Sequence, residues 1–299
     1  MRISYLTIFS ALSGAFGGLL AFGLTQISAA NMRGWQWMYL IEGILSFCLV
    51  PITWWRLPNN ITEAKWLTAD ERAIMALRME RNKSVYDKDE RLSTSELLRC
   101  LRDWKVYVHA VSHFGIDSTL YSLSSFMPKI VAGMGFTTTV NAQLLTVPVY
   151  VVSAAAFVLI ARFSDKMKLR SPFILGALLF ALVGYVILAV DSTPVGVRYF
   201  ALFLIAVPLY SNVLMNVIWA SNNHAGYFKR AFATGLIQLV GNSSGACIGF
   251  IYKAQQAPRY KPGMHFSIGM TCMSFVLTTS LAYAWRLENN KKRKFTMCS

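Results

Sequence analysis

His109, His113 and Asp117 recur every four residues inside a long apolar stretch, and Tyr121 and Ser125 continue the series. At 3.6 residues per turn the series falls on one helix face, with about 12 Å between its first and third members. Imidazole and a partly desolvated carboxylate both titrate near neutral pH, so His109, His113 and Asp117 form a ladder that can take up protons and couple that uptake to movement of another molecule. Only two carboxylates, Glu42 and Asp117, lie within apolar stretches, where an ionisable group is costly enough to need a reason. The plainer reading places His109 at headgroup depth and has His113 and Asp117 hydrogen-bond a neighbouring helix. A metal centre is disfavoured, because the H-x-x-x-H pair stands without a ligand cluster and the other histidines, His224 and His265, lie far off. No cofactor is expected.

A second set of polar residues is uncharged. Asn212, Asn216 and Asn223, with Trp219, fall near one face of their stretch, and Thr234, Gln238 and Asn242 recur every four residues in the next. Amides in a membrane bridge helices or hold a polar ligand in a water-filled cavity. The stretch 171–190 has almost no polar side chain and is expected to face lipid. This contrast points to a cavity, with Tyr121, Asn212, Asn216, Gln238 and Asn242 as the ligand-facing residues; the alternative for each is interhelical bonding alone.

The elements that must position these residues follow from composition. The chain has 299 residues, of which 55% are hydrophobic and 14% charged, and its mean hydropathy is +0.43. About 20 apolar residues make one helical span, and the stretches 3–26, 35–56, 105–132, 140–161, 171–190, 198–221, 231–252 and 264–285 qualify. They lack the alternation of barrel strands and run about twice the strand length. The expected fold class is therefore an all-α integral membrane protein of about eight transmembrane helices. A signal peptide is the alternative for the first stretch, since Ser28-Ala29-Ala30 resembles a cleavage site. Its apolar run is too long for that, and Ser10, Gly14 and Gly18 suit close helix packing.

The net charge of +15 would fit nucleic acid if the basic residues formed a patch. Instead 23 of the 29 Lys and Arg lie in alternate gaps between spans, which assigns both termini and the long loop to the cytoplasm. No nucleic-acid partner is expected. Five scattered cysteines give neither a disulfide framework nor a metal spacing. Residues 57–104 hold nine of the fourteen acids, divide the spans two and six, and contain a capping-box pattern, Thr68-Ala69-Asp70-Glu71, that predicts a surface helix near 69–83. Three glycosylation sequons, at Asn60, Asn82 and Asn242, fall in cytoplasm or membrane under this topology and are expected to stay unmodified.

The residues Gly34-Trp35-Gln36-Trp37, Ile41-Glu42-Gly43, Leu57-Pro58-Asn59 and Ala64-Lys65-Trp66-Leu67-Thr68 form ordered blocks. They continue with Ser164-Asp165-Lys166, Asn222-Asn223-His224-Ala225-Gly226-Tyr227-Phe228-Lys229-Arg230, Gly241-Asn242 and Ala257-Pro258-Arg259-Tyr260. Together they resemble the fungal anion:cation symporters, the allantoate-permease-like branch of the major facilitator superfamily. The resemblance implies an incomplete major facilitator fold that lacks the first four of twelve spans. Residues 1–56 would be the last two spans of the amino-terminal half, 57–104 the central cytoplasmic loop, 105–285 the six-span carboxy-terminal half and 286–299 a cytoplasmic tail. It implies proton-coupled symport of a small organic anion such as a vitamin, ureide or sulfur-containing acid, with plasma membrane as the default location. It also makes Asp165, Lys166 and Arg170 a cytoplasmic gate and gives Glu42 a packing role. The alternative is a non-transporting remnant or subunit that needs a separate four-span amino-terminal fragment. An integral-membrane enzyme is disfavoured, because no nucleophile elbow or histidine cluster occurs.

Overall fold

The computed structural model describes residues 32–58, 64, 66–81, 98, 100–136, 139–167, 169–224, 227–257 and 259–298, with scattered positions between 13 and 27. The regular structure among them is helical throughout: α1 (Gly34–Arg56), α2 (Ala69–Arg81), α3 (Trp104–Ala132), α4 (Thr139–Met167), α5 (Ser171–Ala189), α6 (Val195–Asn223), α7 (Tyr227–Ile251) and α8 (Lys261–Cys298), with a 3-10 turn at Ala254–Gln256. The expected all-α membrane class holds. Most of the first expected span and the sequons at Asn60 and Asn82 lie outside the described residues.

Five described segments are long and apolar enough to cross a membrane: Gly34–Arg56, Asn141–Met167, Ser171–Ala189, Val195–Asn223 and Lys261–Lys291. The helices α3 and α7 are long enough but more polar, because they carry the two stripes picked out in the sequence. Polarity in a spanning helix is affordable only where other helices shield it, and α3 is correspondingly the helix with the longest series of buried residues.

The chain forms two units. The smaller contains α1 and α2. α1 buries none of its residues, and its exposed Trp54 and Trp55 stand beside Arg56, the pairing of aromatic and basic side chains found at a membrane–water boundary. Pro51 sits inside α1 without breaking it, and Thr53 Oγ1 bonds back to the Leu49 carbonyl at 2.6 Å. α2 begins with the expected capping box: the Thr68 N–H donates to Glu71 Oε2 at 2.9 Å, and the Glu71 N–H donates to Thr68 Oγ1 at 3.4 Å.

The larger unit contains α3 to α8. Within it α5 packs on α6 and α8, α8 on α3, α6 on α3 and α4, and α3 on α4. One apolar cluster joins Leu123, Met127, Tyr185, Leu202 and Leu209, and a second joins Ile116, Ile174, Leu178, Met215, Leu281 and Trp285. The stretch expected to face lipid does so on one side only. α5 buries Ile174, Leu178, Ala181 and Tyr185 while exposing Leu179, Phe180, Val183 and Val186. An all-apolar helix gives no sequence signal for which face packs, and here Gly184 lets α6 approach closely: an added Cβ would stand 2.5 Å from Ile205 Cγ1.

Through the stretch expected as the carboxy-terminal tail, 286–299, α8 continues to Cys298. Residues 286–298 contain neither Gly nor Pro, so nothing in them stops the helix, and Glu288 pairs with Lys105 at the start of α3. At the same end Asp103 caps α3 by accepting from the Lys105 N–H at 3.1 Å and pairs with Lys229 of α7 at 2.6 Å. Burial pushes the Asp103 carboxyl up, but the hydrogen bonds from Lys229 and the Lys105 backbone outweigh it and hold it below its ordinary 3.8. A depressed carboxylate contributes stability that is complete above its unfolded pKa and is lost as pH falls through the folded one. Asp103→Asn is therefore expected to lower the melting temperature at neutral pH and to flatten its fall between about pH 5 and 3, measured by thermal unfolding in detergent at each pH.

Candidate functional site

The stripe on α3 points into the six-helix unit. His109 and His113 are fully buried and Asp117 is 4% exposed. Asn216 of α6 sits between the two imidazoles. Its Oδ1 is 2.8 Å from His109 Nε2, and its Nδ2 is 3.1 Å from His113 Nδ1. The other His113 nitrogen, Nε2, lies 2.8 Å from Gln238 Oε1 on α7 and 3.5 Å from Asp117 Oδ2. With the Asn216 amide donating to His113 Nδ1, the imidazole hydrogen is on Nε2, shared between Gln238 and Asp117.

Glycines on α7 make this contact possible. A Cβ at Gly241 would stand 2.5 Å from Asp117 Oδ2 and 2.6 Å from His113 Cδ2, and one at Gly245 would meet the Tyr121 ring at 3.5 Å. The Tyr121 hydroxyl in turn donates to Asn242 Oδ1 at 2.7 Å, and Asn242 Nδ2 donates to the Gln238 carbonyl at 2.9 Å. Gln238 thus meets the buried imidazole with its side chain and Asn242 with its main-chain carbonyl, and the polar pair lies at the surface of the unit, where Asn242 is exposed and Tyr121 partly so.

The structure brings together His109, His113, Asp117, Asn216 and Gln238, and beside them Tyr121 and Asn242. Asn212 does not join them. It is buried with Nδ2 turned to the Ile174 carbonyl of α5 at 3.5 Å, while its Oδ1 has no partner. Four residues separate it from Asn216, but four residues advance a helix by more than one full turn, enough to carry Asn212 to a different neighbour. Ser125, at the end of the α3 stripe, is exposed.

The turn between α4 and α5 holds Asp165, Lys166 and Arg170. Arg170 Nη2 bonds to Asp165 Oδ1 at 2.9 Å, and Ser164 Oγ donates to the Leu169 carbonyl at 3.0 Å. Lys166 is exposed. Beside this turn lies a cavity of about 440 Å³ that reaches Trp219 and Trp285. Both indoles also pack on His109, with ring centroids 5.3 and 5.7 Å away. His224, just beyond α6, has its ring 5.9 Å from Trp285, and burial holds it down to about 4 against the opposing field of Asp103. It is neutral at physiological pH. Sequence reasoning missed Trp285, Gly241 and Gly245. The glycines carried a signal, since they fall at the spacing of the Gln238 and Asn242 series; Trp285 carried none.

Comparison with known proteins adds two findings. Residues 1–250 match the family profile described as Major Facilitator Superfamily. An uncharacterised transporter of Schizosaccharomyces pombe is 38% identical over 292 residues, covering 97% of this chain and 58% of its own length. The high-affinity nicotinic acid transporter of Saccharomyces cerevisiae is 36% identical over 293 residues (98% and 54%). A major facilitator-type transporter of Emericella nidulans is 32% identical over 295 residues (98% and 59%). The chain spans a little over half the length of these relatives.

Proposed function

The chain belongs to the Major Facilitator Superfamily, and we propose that it forms the larger part of a permease that moves a small organic anion together with protons. Family and relatives alike speak for transport rather than enzymatic chemistry. The observation that supports the finer reading is the buried cluster of His113, Asp117 and the Gln238 side chain, with Asn242 on the Gln238 main-chain carbonyl and Tyr121 on Asn242 beside it. Asp117 and His113 hold the proton; Tyr121, Asn242 and Gln238 face the anion. A proton taken up at the buried pair adds one positive charge beside a site that otherwise offers an anion only amide and hydroxyl dipoles. An anion at that site in turn favours the protonated pair. Each ligand therefore strengthens binding of the other, which is the thermodynamic requirement of symport.

In this reading the chain corresponds to the allantoate-permease-like branch. Residues 1–56 supply the last two spans of an amino-terminal half, 57–104 the central cytoplasmic loop, 105–285 the carboxy-terminal half and 286–299 the cytoplasmic end. The Asp165–Arg170 pair, with Lys166 beside it, is the cytoplasmic gate. Both termini lie in the cytoplasm and the plasma membrane is the location. Asn212 is left with a packing role. The six-helix unit has its own apolar clusters, which favours a second reading as well, a subunit that assembles with a separate amino-terminal part.

The test is uptake by the transporter containing this chain, measured against external pH. Nicotinate is the first substrate to try, since the S. cerevisiae relative is named for it. Asp117→Asn and His113→Ala are expected to abolish accumulation against a gradient and to flatten the pH profile. If both variants keep wild-type pH dependence and accumulation, the stripe is structural and proton coupling lies elsewhere.

A further inference from the structure

The cavity between the α4–α5 turn, the end of α6 and α8 has the chemistry of a second site, separate from the Tyr121–Asn242 face. Its volume of about 440 Å³ is that of small-molecule sites. Its charged lining is two arginines, Arg170 and Arg286, against one carboxylate, Asp165, which is already on Arg170. Arg286 has no ion-pair partner among the described residues. The indole N–H groups of Trp219 and Trp285 and the side-chain amides of Asn222 and Asn289 likewise make no hydrogen bond among the described residues. The wall is therefore rich in unused donors and holds a net positive charge. The first turn of α5 adds to this: Ser171 lines the cavity, so the positive end of a 19-residue helix lies beside it.

The apolar part of the wall narrows the ligand further. Trp219 and Trp285 are each 7% exposed and cross at 86° with centroids 4.6 Å apart, which offers the cavity an indole corner. A planar ring packs well against such a corner in edge-to-face geometry. Its carboxylate suits the fork of a guanidinium, which binds two oxygens at once. A bare phosphate would use the arginines and leave the indoles uncovered.

We propose that this cavity binds a small ring-bearing carboxylate, held by Arg286 and Arg170 with its ring against Trp219 and Trp285, and that the bound anion draws Arg170 away from Asp165. The site is thus a sensor of anion at the end of the unit assigned to the cytoplasm. It rests on the transport reading only in what it senses; the binding itself does not. Trp219 and Trp285 separate its occupant from His109 by a single layer of side chains.

The experiment is calorimetric titration of the purified full chain with sodium benzoate, alongside inorganic phosphate and phosphatidylglycerol vesicles. Wild type is expected to bind benzoate saturably. Arg286→Gln is expected to weaken binding about tenfold or more, and Arg286→Lys to weaken it less, because charge is kept and the fork lost. Arg286 is exposed, so both variants should keep the wild-type melting temperature. Tyr121→Phe should leave this binding unchanged. The proposal is overturned if benzoate shows no saturable binding, if Arg286→Gln binds like wild type, or if Tyr121→Phe alone weakens binding, which would place benzoate at the transport face. Binding of phosphate or of phosphatidylglycerol vesicles without benzoate also overturns it, in favour of a free phosphate or a lipid headgroup respectively. None of these outcomes requires uptake, so failure of transport and failure of this site are told apart.

Discussion

Gly241→Leu is expected to lower the rate of uptake by the proposed transporter containing this chain about a hundredfold while the chain still inserts and keeps its helices. The Cβ alone would stand 2.5 Å from Asp117 Oδ2 and 2.6 Å from His113 Cδ2, and a leucine adds three further carbons in the same direction. His113 cannot yield without loss, because Asn216 holds one ring nitrogen and Gln238 the other. Asp117 must then swing away or α7 must draw back, and the first breaks its contact with His113 while the second breaks that of His113 with Gln238. A displacement of about 1 Å in a reacting constellation is enough for an effect of that size. The measurement is the initial rate at saturating substrate, with the amount of protein in the membrane determined in parallel. A rate within about twofold of wild type at equal protein would mean that this contact does not limit turnover.

The second large effect is on assembly. Gly115→Leu is expected to destabilise the six-helix unit by about 3 kcal/mol or more, the upper range for overpacking a tight seam. An added Cβ there would collide with Ser274 Oγ and stand 2.9 Å from the Met270 backbone carbonyl, and backbone cannot turn aside as a side chain can. The seam between α3 and α8 is built from small polar residues: Ser274 Oγ donates to the Ser112 carbonyl at 2.9 Å, and Ser112 Oγ lies 2.9 Å from Thr278 Oγ1. Such seams gain from close backbone approach rather than from apolar burial. The loss should appear as a lower melting temperature in detergent and lower recovery from membranes. Gly176→Ala on α5 is the control, since nothing lies within 4 Å of its added Cβ. If Gly115→Leu melts with the control, α3 and α8 tolerate separation and the seam is not what joins them.

Much of this architecture was legible in the sequence because a membrane makes the code simple. Apolar length marked the spans, and the helical period put His109, His113 and Asp117 on one face before any contact was known. The capping box at Thr68 and Glu71 located the start of α2. What the period could not supply was the identity of partners. Asn216 and Gln238 were legible as inward-facing amides, but not as the groups that hold the two imidazoles. Asn212 was grouped with Asn216 on spacing and on the resemblance, which do not tell that its amide nitrogen turns to the Ile174 carbonyl on α5. Trp285 and Arg286 were invisible as site residues because their neighbours come from α4, α5 and α6, distant in the chain. The secondary structure of the stretch past residue 285 was not read from its charge; a charged sequence without Gly or Pro propagates a helix, as α8 does.

The placement of Asn216 gives the two histidines a direction. The amide accepts from His109 and donates to His113, so every hydrogen in this short row points toward Asp117. An amide side chain has negligible basicity and does not hand on a proton; it can only turn over. If His113 gains a hydrogen on Nδ1, the Asn216 amide must rotate to present oxygen, and its NH₂ then faces His109 Nε2, which must become the bare nitrogen of the other tautomer. His109 Nδ1, buried and without a partner, would then carry the hydrogen. One imidazole thus registers the charge of the other without sharing its proton, much as a weathervane shows the wind without moving the air.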